Sequence, residues 1–261
     1  MIIKKSPEEL DKMAAAGKIL ARCHTLLSRK ARPGVTTAEL DDAAEKFIRS
    51  HGAEPAFKGY RGFPGSICAS PNSMVVHGIP GAYKLGRGDI LSVDIGVIKD
   101  GWVADAAITI PIGPVSPVAQ RLLGTTKQSL FDAVEQCHVG NRLGDVSHAV
   151  QTTVEKEGFA VIRQLVGHGI GRDMHEDPQI PNFGPPGKGP LLEEGMVLAV
   201  EPMVNVGGPA IRIGRDNWSV YSQDGSLAAH FEFTIAITAE GPRILTPWHE
   251  EEALREVLQA A

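Results

Sequence analysis

Apolar residues recur at helical spacing in four stretches of the chain and crowd into five shorter, strand-like runs. The first helical stretch opens at Ser6-Pro7-Glu8-Glu9, where serine and glutamate form a capping box and proline takes the first helical position. Leu10, Met13, Ala14, Gly17 and Leu20 follow on one face, and Pro33-Gly34 ends the helix. Thr36-Thr37-Ala38-Glu39 starts a second one, with Leu40, Ala43, Ala44, Phe47 and Ile48 inward and Gly52 as its stop. The same grammar returns later. Pro117 opens a long helix through Leu122, Leu123, Leu130, Ala133 and Val134 that Gly140 closes, and a fourth runs from about Asp145 through Val146, Val150 and Val154 to Gly158.

The strand-like runs carry the chemistry. They are Leu91–Ile95, Asp105–Ile110, Gly167–Gly171, Leu198–Pro202 and Phe231–Ile235, and they contain Asp94, Asp105, His168, Glu201 and Glu232. An ionised carboxylate in a core strand is costly unless something neutralises it. Two runs also repeat: Gly88–Asp94 aligns with Gly195–Glu201 at an offset of 107, and the helix-stopping glycines 34 and 140 lie 106 apart. Asp105–Ile110 likewise resembles Glu232–Ile237. Each half therefore reads helix, helix, acid-bearing strand, acid-bearing strand. The expected fold class is α/β (α+β), as one catalytic domain over residues 1–261. Its pseudo-repeats cover about 1–112 and 113–261, related by a pseudo-two-fold axis with the site on it. The period is too long for a solenoid. Glycine and proline cluster from Pro178 to Pro190, and this segment is expected to be a loop over the site.

Lys99-Asp100-Gly101 is a tight-turn signal between Asp94 and Asp105. A turn centred on Lys99-Asp100 sets the two acids directly opposite; one centred on Asp100-Gly101 makes them diagonal neighbours. Either places their Cβ atoms roughly 5–8 Å apart. Two like charges at 4 Å repel by about 4 kcal/mol at an effective dielectric near 20, so four clustered carboxylates demand protons or cations. Two dications balance them. Oxygen-rich ligation with one imidazole differs from a structural zinc site; cobalt, manganese, iron(II) or a labile zinc all suit it. Two such ions can share a hydroxide, lower its pKa and polarise a carbonyl under attack. Asp105 and Glu232, one from each half, are the expected bridging pair. Asp94 completes one site, and His168 with Glu201 the other. His77 and His175 are further imidazoles placed to donate to a substrate carbonyl or a tetrahedral intermediate.

Composition narrows the partners. The 261 residues are 43% hydrophobic and 22% charged, enough for a full core, and a net charge of −5 argues against a nucleic-acid substrate. No apolar run approaches the roughly 18 residues of a membrane span, and no signal peptide is evident. Three cysteines, Cys23, Cys68 and Cys137, with no CxxC pair, fit reduced thiols in a cytoplasmic protein. Arg87-Gly88-Asp89 and Asn217-Trp218-Ser219 then read as a turn and a loop rather than as adhesion and glycosylation motifs. No GxSxG, P-loop or dinucleotide fingerprint competes.

Across nearly its whole length the chain resembles type I methionine aminopeptidases. The matching motifs are Asn72 with His77-Gly78-Ile79-Pro80, Asp94-x-Gly96-Val97 through Asp105, Gly167–Gly171 with His175-Glu176-x-Pro178, and Glu201-Pro202-Met203. The resemblance implies the duplicated pita-bread fold around a central antiparallel sheet, two divalent metals on the five residues above, and removal of methionine from nascent polypeptide N-termini with a small second residue. It assigns His77 and His175 to the substrate, Glu201 to proton transfer, and Tyr60, Phe63, Cys68 and Trp218 to the methionine pocket. It implies a monomer acting at the ribosome surface, without a membrane. The chain departs from many members in carrying Phe233 after Glu232 where they have histidine, and in Phe57 and Met174 at the pocket rim. No zinc-finger extension and no insertion of the type II kind is seen. Two alternatives remain at this level: an Xaa-Pro aminopeptidase or prolidase-like hydrolase, which shares the ligands, and a non-catalytic binding protein of the same fold.

Overall fold

Ser6 starts the first helix in the way its neighbours predict. In the computed structural model, which describes residues 1–259, the Ser6 hydroxyl accepts from the Glu9 amide and the Glu9 carboxylate accepts from the Ser6 amide. Helix α1 spans Pro7–Lys30 and α2 spans Thr37–Ser50, with the same reciprocal cap between Thr36 and Glu39. The second pair is α3, Pro117–Val134, and α4, Leu143–Lys156. A short α5, Glu252–Gln259, packs beside α1. Helix α3 stops at Val134, short of the predicted Gly140, and turns fill the interval.

The repeat is visible in backbone partners. Gly34 N–H donates to the Leu85 carbonyl at 2.8 Å, and Gly140 N–H donates to the Leu192 carbonyl at 3.0 Å. The offset between these partners is the 106–107 seen in the sequence.

Ile90–Lys99 and Trp102–Pro111 form the first-half hairpin. Its turn is Asp100-Gly101, with φ of 50° and 75°, the double left-handed geometry whose twist suits a two-residue hairpin. Asp94 pairs with Ala107 and Gly96 with Asp105, so the two acids are diagonal neighbours. Glu54–Pro55 and Cys68–Pro71 pair with the other edge of Ile90–Lys99. The second-half sheet has five strands in the order Gly241–Ile244, Phe233–Thr238, Val197–Val200, Gly167–Gly169, Glu176–Ile180, all antiparallel.

The halves meet where Trp102–Pro111 runs against residues 230–234. The Glu232 amide donates to the Ala107 carbonyl at 2.9 Å, and the Thr234 hydroxyl donates to the Asp105 carbonyl at 2.7 Å while accepting from the Asp105 amide at 3.0 Å. Exchanging the halves maps Asp105 onto Glu232 and Ala107 onto Thr234, so the same residue pairs meet on both sides, through the backbone at Ala107 and through the side-chain hydroxyl at Thr234. Their effect is to set the two predicted bridging acids side by side.

The Pro178–Pro190 segment is not one loop over the site: residues 178–180 belong to a strand beside His168, Asn182 donates to the Glu201 carbonyl at 2.9 Å, and the end of the segment turns to α4. Its carbonyls at Pro190 and Lys188 accept from the Leu143 and Gly144 amides at 3.0 and 2.9 Å, and the Gly187 amide donates to Asp145 at 2.7 Å. The first amides of α4 need acceptors that the Arg142 side chain cannot offer, and the loop supplies them. Cys23, Cys68 and Cys137 are buried free thiols. Among the described residues no helix is long and apolar enough to cross a membrane.

Candidate metal centre

Asp94 and Asp105 project from the first-half hairpin. His168 sits at the centre of Gly167–Gly169, Glu201 directly follows Val197–Val200, and Glu232 directly precedes Phe233–Thr238. The glycines beside His168 permit close approach of neighbouring backbone: a Cβ at Gly169 would lie 2.0 Å from the Asp177 carbonyl oxygen, and one at Gly167 2.3 Å from that of Ala199.

Ligand atoms from Asp105, His168 and Glu232 all lie within 4.8 Å of one another. His168 Nε2 is 3.9 Å from Asp105 Oδ2 and 3.8 Å from Glu201 Oε1. Asp94, a diagonal neighbour of Asp105 on the hairpin, lines the same cavity as the other four. The structure thus brings all five predicted ligands together.

The ligand chemistry follows from the surroundings. His168 Nδ1 lies 2.9 Å from the Gly169 carbonyl, which places the proton on Nδ1 and leaves the Nε2 lone pair facing the acids. Burial lowers the His168 pKa to about 4, so the ring is neutral at pH 7. Burial pushes Asp94 up to about 7 and Glu201 up to about 8. Burial, then neighbouring carboxylates, raises Asp105 and Glu232 well above the ordinary carboxylate range. Asp94 Oδ1, Asp105 Oδ1 and Glu232 Oε1 are buried with no hydrogen-bond partner. Unpaired buried oxygens facing a bare imidazole nitrogen are what divalent cations would satisfy, so the residues present fit the expected metals.

A cavity of about 170 Å³ opens beside the acids. Its far wall is Phe57, Tyr60, Phe63, Cys68 and Trp218. Phe63 packs edge-on to Trp218 with ring centres 5.1 Å apart, and Phe57 packs edge-on to Phe63 at 6.5 Å. His77 and His175 line the same cavity. Tyr60 Oη is 2.8 Å from His175 Nδ1, and the His175 ring lies 4.3 Å from that of His168. Burial lowers His77 to about 4.

Three positions behave differently from their motif reading. Asn72 is an architectural residue: its side chain donates to Asp89 at 3.0 Å and to Tyr83 at 3.2 Å and accepts from the Ile90 amide. Phe233 stacks on Trp248 at 4.5 Å, and the Trp248 indole donates to the Glu232 carbonyl at 2.8 Å, so an apolar stack braces the Glu232 backbone. Met174 is buried against Gly96 and is not among the residues that line the cavity, whereas Phe57 is.

Sequence reading missed two site residues. Arg61 lines the cavity with its guanidinium 5.3 Å from the Tyr60 ring centre. His230 is buried with Nε2 3.4 Å from Glu201 Oε2. Its signal was available, because residues 230 and 232 share a face if the strand alternation continues.

The model of metallopeptidase family M24 matches residues 11–239. A methionine aminopeptidase of Clostridium perfringens is 52% identical over 246 residues, which cover 94% of this chain and 99% of that one. The chain belongs to the methionine aminopeptidases of metallopeptidase family M24. The crystal structure of methionine aminopeptidase from Rickettsia prowazekii matches with a TM-score of 0.93 and 41% identity, over 94% of this chain and all of that one. The duplicated pita-bread fold expected from the sequence is therefore present. A Pyrococcus furiosus prolidase shares the fold alone, with a TM-score of 0.75 and 21% identity, and this chain covers 65% of it. The prolidase alternative is not favoured. Membership of the metallopeptidases implies divalent metal, and the Asp105–His168–Glu232 group is where this M24 chain can hold it.

Proposed function

We propose that this M24 protein is a metal-dependent aminopeptidase that removes the N-terminal methionine of peptides and nascent proteins. One observation carries the reading beyond family membership. A cluster of buried acids with unpaired oxygens shares a single cavity with an aromatic wall and two flanking imidazoles. Asp94, Asp105, His168, Glu201 and Glu232 would hold two divalent ions. When bound, such ions polarise the scissile carbonyl and lower the pKa of the attacking water.

The remaining work falls to side chains of this chain. Phe57, Tyr60, Phe63, Cys68 and Trp218 take the flexible thioether of methionine. The cavity is smaller than the roughly 300–1,000 Å³ of sites for larger ligands, which suits one amino-acid side chain. With Tyr60 O–H donating to His175 Nδ1, the His175 proton sits on Nε2, free to reach a substrate oxygen. His77, neutral at pH 7, offers a second N–H to the developing negative charge. Glu201 collects the proton from water and delivers it to the leaving amine. The narrow cleft favours a small second residue.

The ions would be manganese, iron(II), cobalt or zinc. The same reading places the protein in the cytoplasm as a monomer, meeting its substrates at the ribosome surface. The test is cleavage of Met-Ala-Ser against Ala-Pro-Ala by protein loaded with a defined metal. Rapid release of methionine, abolished by chelation, is expected. Cleavage of the proline peptide alone would return the protein to the prolidase reading, and metal binding without cleavage of either would make it a binding protein. Anomalous scattering from crystals grown with that metal would give the number of ions.

A further inference from the structure

His230 is 2% exposed, and neither of its ring nitrogens has a hydrogen-bond partner. A buried imidazole that serves only the core normally spends a nitrogen on a backbone group, as His24 does with the Val93 carbonyl at 3.1 Å. His230 does not, although its backbone is tightly held. Its amide donates to Thr109 Oγ1, and its carbonyl accepts from the same hydroxyl, each at 2.9 Å. It also pairs with Met203 across the strand Met203–Asn205. This anchored backbone sends the ring towards the metal centre, where Nε2 stops 3.4 Å from Glu201 Oε2. The other oxygen of the same carboxylate, Oε1, lies 3.8 Å from His168 Nε2. Glu201 is thus flanked by two imidazoles, one facing each oxygen. A small rotation of the carboxylate would complete a hydrogen bond from His230 Nε2–H and would leave only the Nδ1 lone pair unpaired.

We propose that His230 is a positioning residue that holds Glu201 Oε2 through Nε2–H and so presents Oε1 to the metal beside His168. The proposal rests on the assignment of Glu201 as a metal ligand in the function proposed above. A ligating carboxylate that is free to rotate loses affinity and can bind in the wrong orientation, and a fixed donor to its outer oxygen prevents both. His230 is not itself a ligand in this arrangement, because its nitrogen addresses the oxygen turned away from His168.

The test uses full-length protein stripped of metal, titrated with Mn²⁺ by calorimetry and with Co²⁺ by visible absorption. His230→Met fills the space without a donor, and His230→Gln restores an N–H at similar reach. His230→Met is expected to weaken metal binding about 10–100-fold. It should also alter the cobalt absorption bands and lower kcat more than it raises KM. His230→Gln is expected to recover affinity to within a few-fold and to restore the cobalt bands. If His230→Met fails to fold, as judged by melting of the metal-free protein, the comparison of His230→Gln with the unsubstituted protein still decides. Cobalt bands that change in His230→Gln would mean direct ligation by the imidazole and would overturn the proposal. So would unchanged affinity in a folded His230→Met. Unsubstituted protein that takes up no metal would instead bring down the functional reading itself. Normal uptake and turnover in that protein, with indifferent variants, would remove only His230.

Discussion

At the scale of single residues, binding and turnover can be separated. His77 lines the cavity but lies outside the Asp105–His168–Glu232 group, so its removal should spare metal uptake. It also occupies a left-handed backbone position, φ 60°, which asparagine tolerates. His77→Asn should therefore fold and load metal normally while losing about 10²–10³-fold in kcat, the usual cost of one donor to a developing negative charge. Steady-state kinetics beside metal analysis checks both halves of this expectation; loss of metal in step with activity would contradict it. His168→Ala should instead lose metal and turnover together with the fold intact. The buried acids were legible in the sequence because a carboxylate amid Val, Ile and Leu has no inexpensive structural role. Arg61 was not, because its place at the rim depends on a left-handed turn at φ 50° that no local pattern signals. His230 was overlooked for another reason. It shares the alternation of Glu232, but the group its ring meets, Glu201, lies 29 residues away in sequence.

At the scale of elements, α1 must approach the end of the Gly241–Ile244 strand closely, and Gly17 is the point of contact. A Cβ there would lie 1.9 Å from the Leu245 carbonyl oxygen, a backbone atom that cannot move aside alone. Gly17→Ala, which improves helix propensity in isolation, should instead destabilise the protein by about 1–3 kcal/mol through overpacking. Urea unfolding would measure it, and a neutral or stabilising result would show that the helix can shift. The starts of α1 and α2 were readable to the residue, because a capping box is a local device whose partners are three positions apart, whereas α4, with no side-chain cap at Arg142, begins at Leu143, two residues before the expected Asp145. The hairpin was readable down to two registers, and left-handed geometry at both Asp100 and Gly101 selects the diagonal one. The Pro178–Pro190 loop was misplaced because glycine and proline announce a turn without saying what it packs against. The partners of its end, the first amides of α4, are more than 40 residues away in sequence.

For the whole molecule, the metal centre makes stability depend on pH in a way that binding should reverse. Without metal, Asp94 and Glu201 titrate at about 7 and about 8, raised by burial above the ordinary carboxylate range. Below the unfolded values both states keep their protons and the contribution of these groups to stability is whole. As pH rises through 7 and 8, the unfolded chain has already released protons that the fold must now give up, and that contribution is lost. Buried imidazoles set the acid limit. His24, His77 and His168 are lowered to between about 3 and about 4, so below roughly pH 6.5 the unfolded chain binds protons that the fold refuses. The metal-free protein should therefore be most stable in mildly acidic solution and soften towards pH 8. Divalent ions replace those protons and bind only the assembled site, so their stabilisation should grow with pH. Calorimetry at pH 5.5 and pH 8, with and without a chelator, should show a larger metal-induced rise in Tm at the higher pH. Equal rises at both would mean that the buried acids are not protonated in the metal-free fold, and the oxygens now unpaired at the junction of the two halves would need another partner.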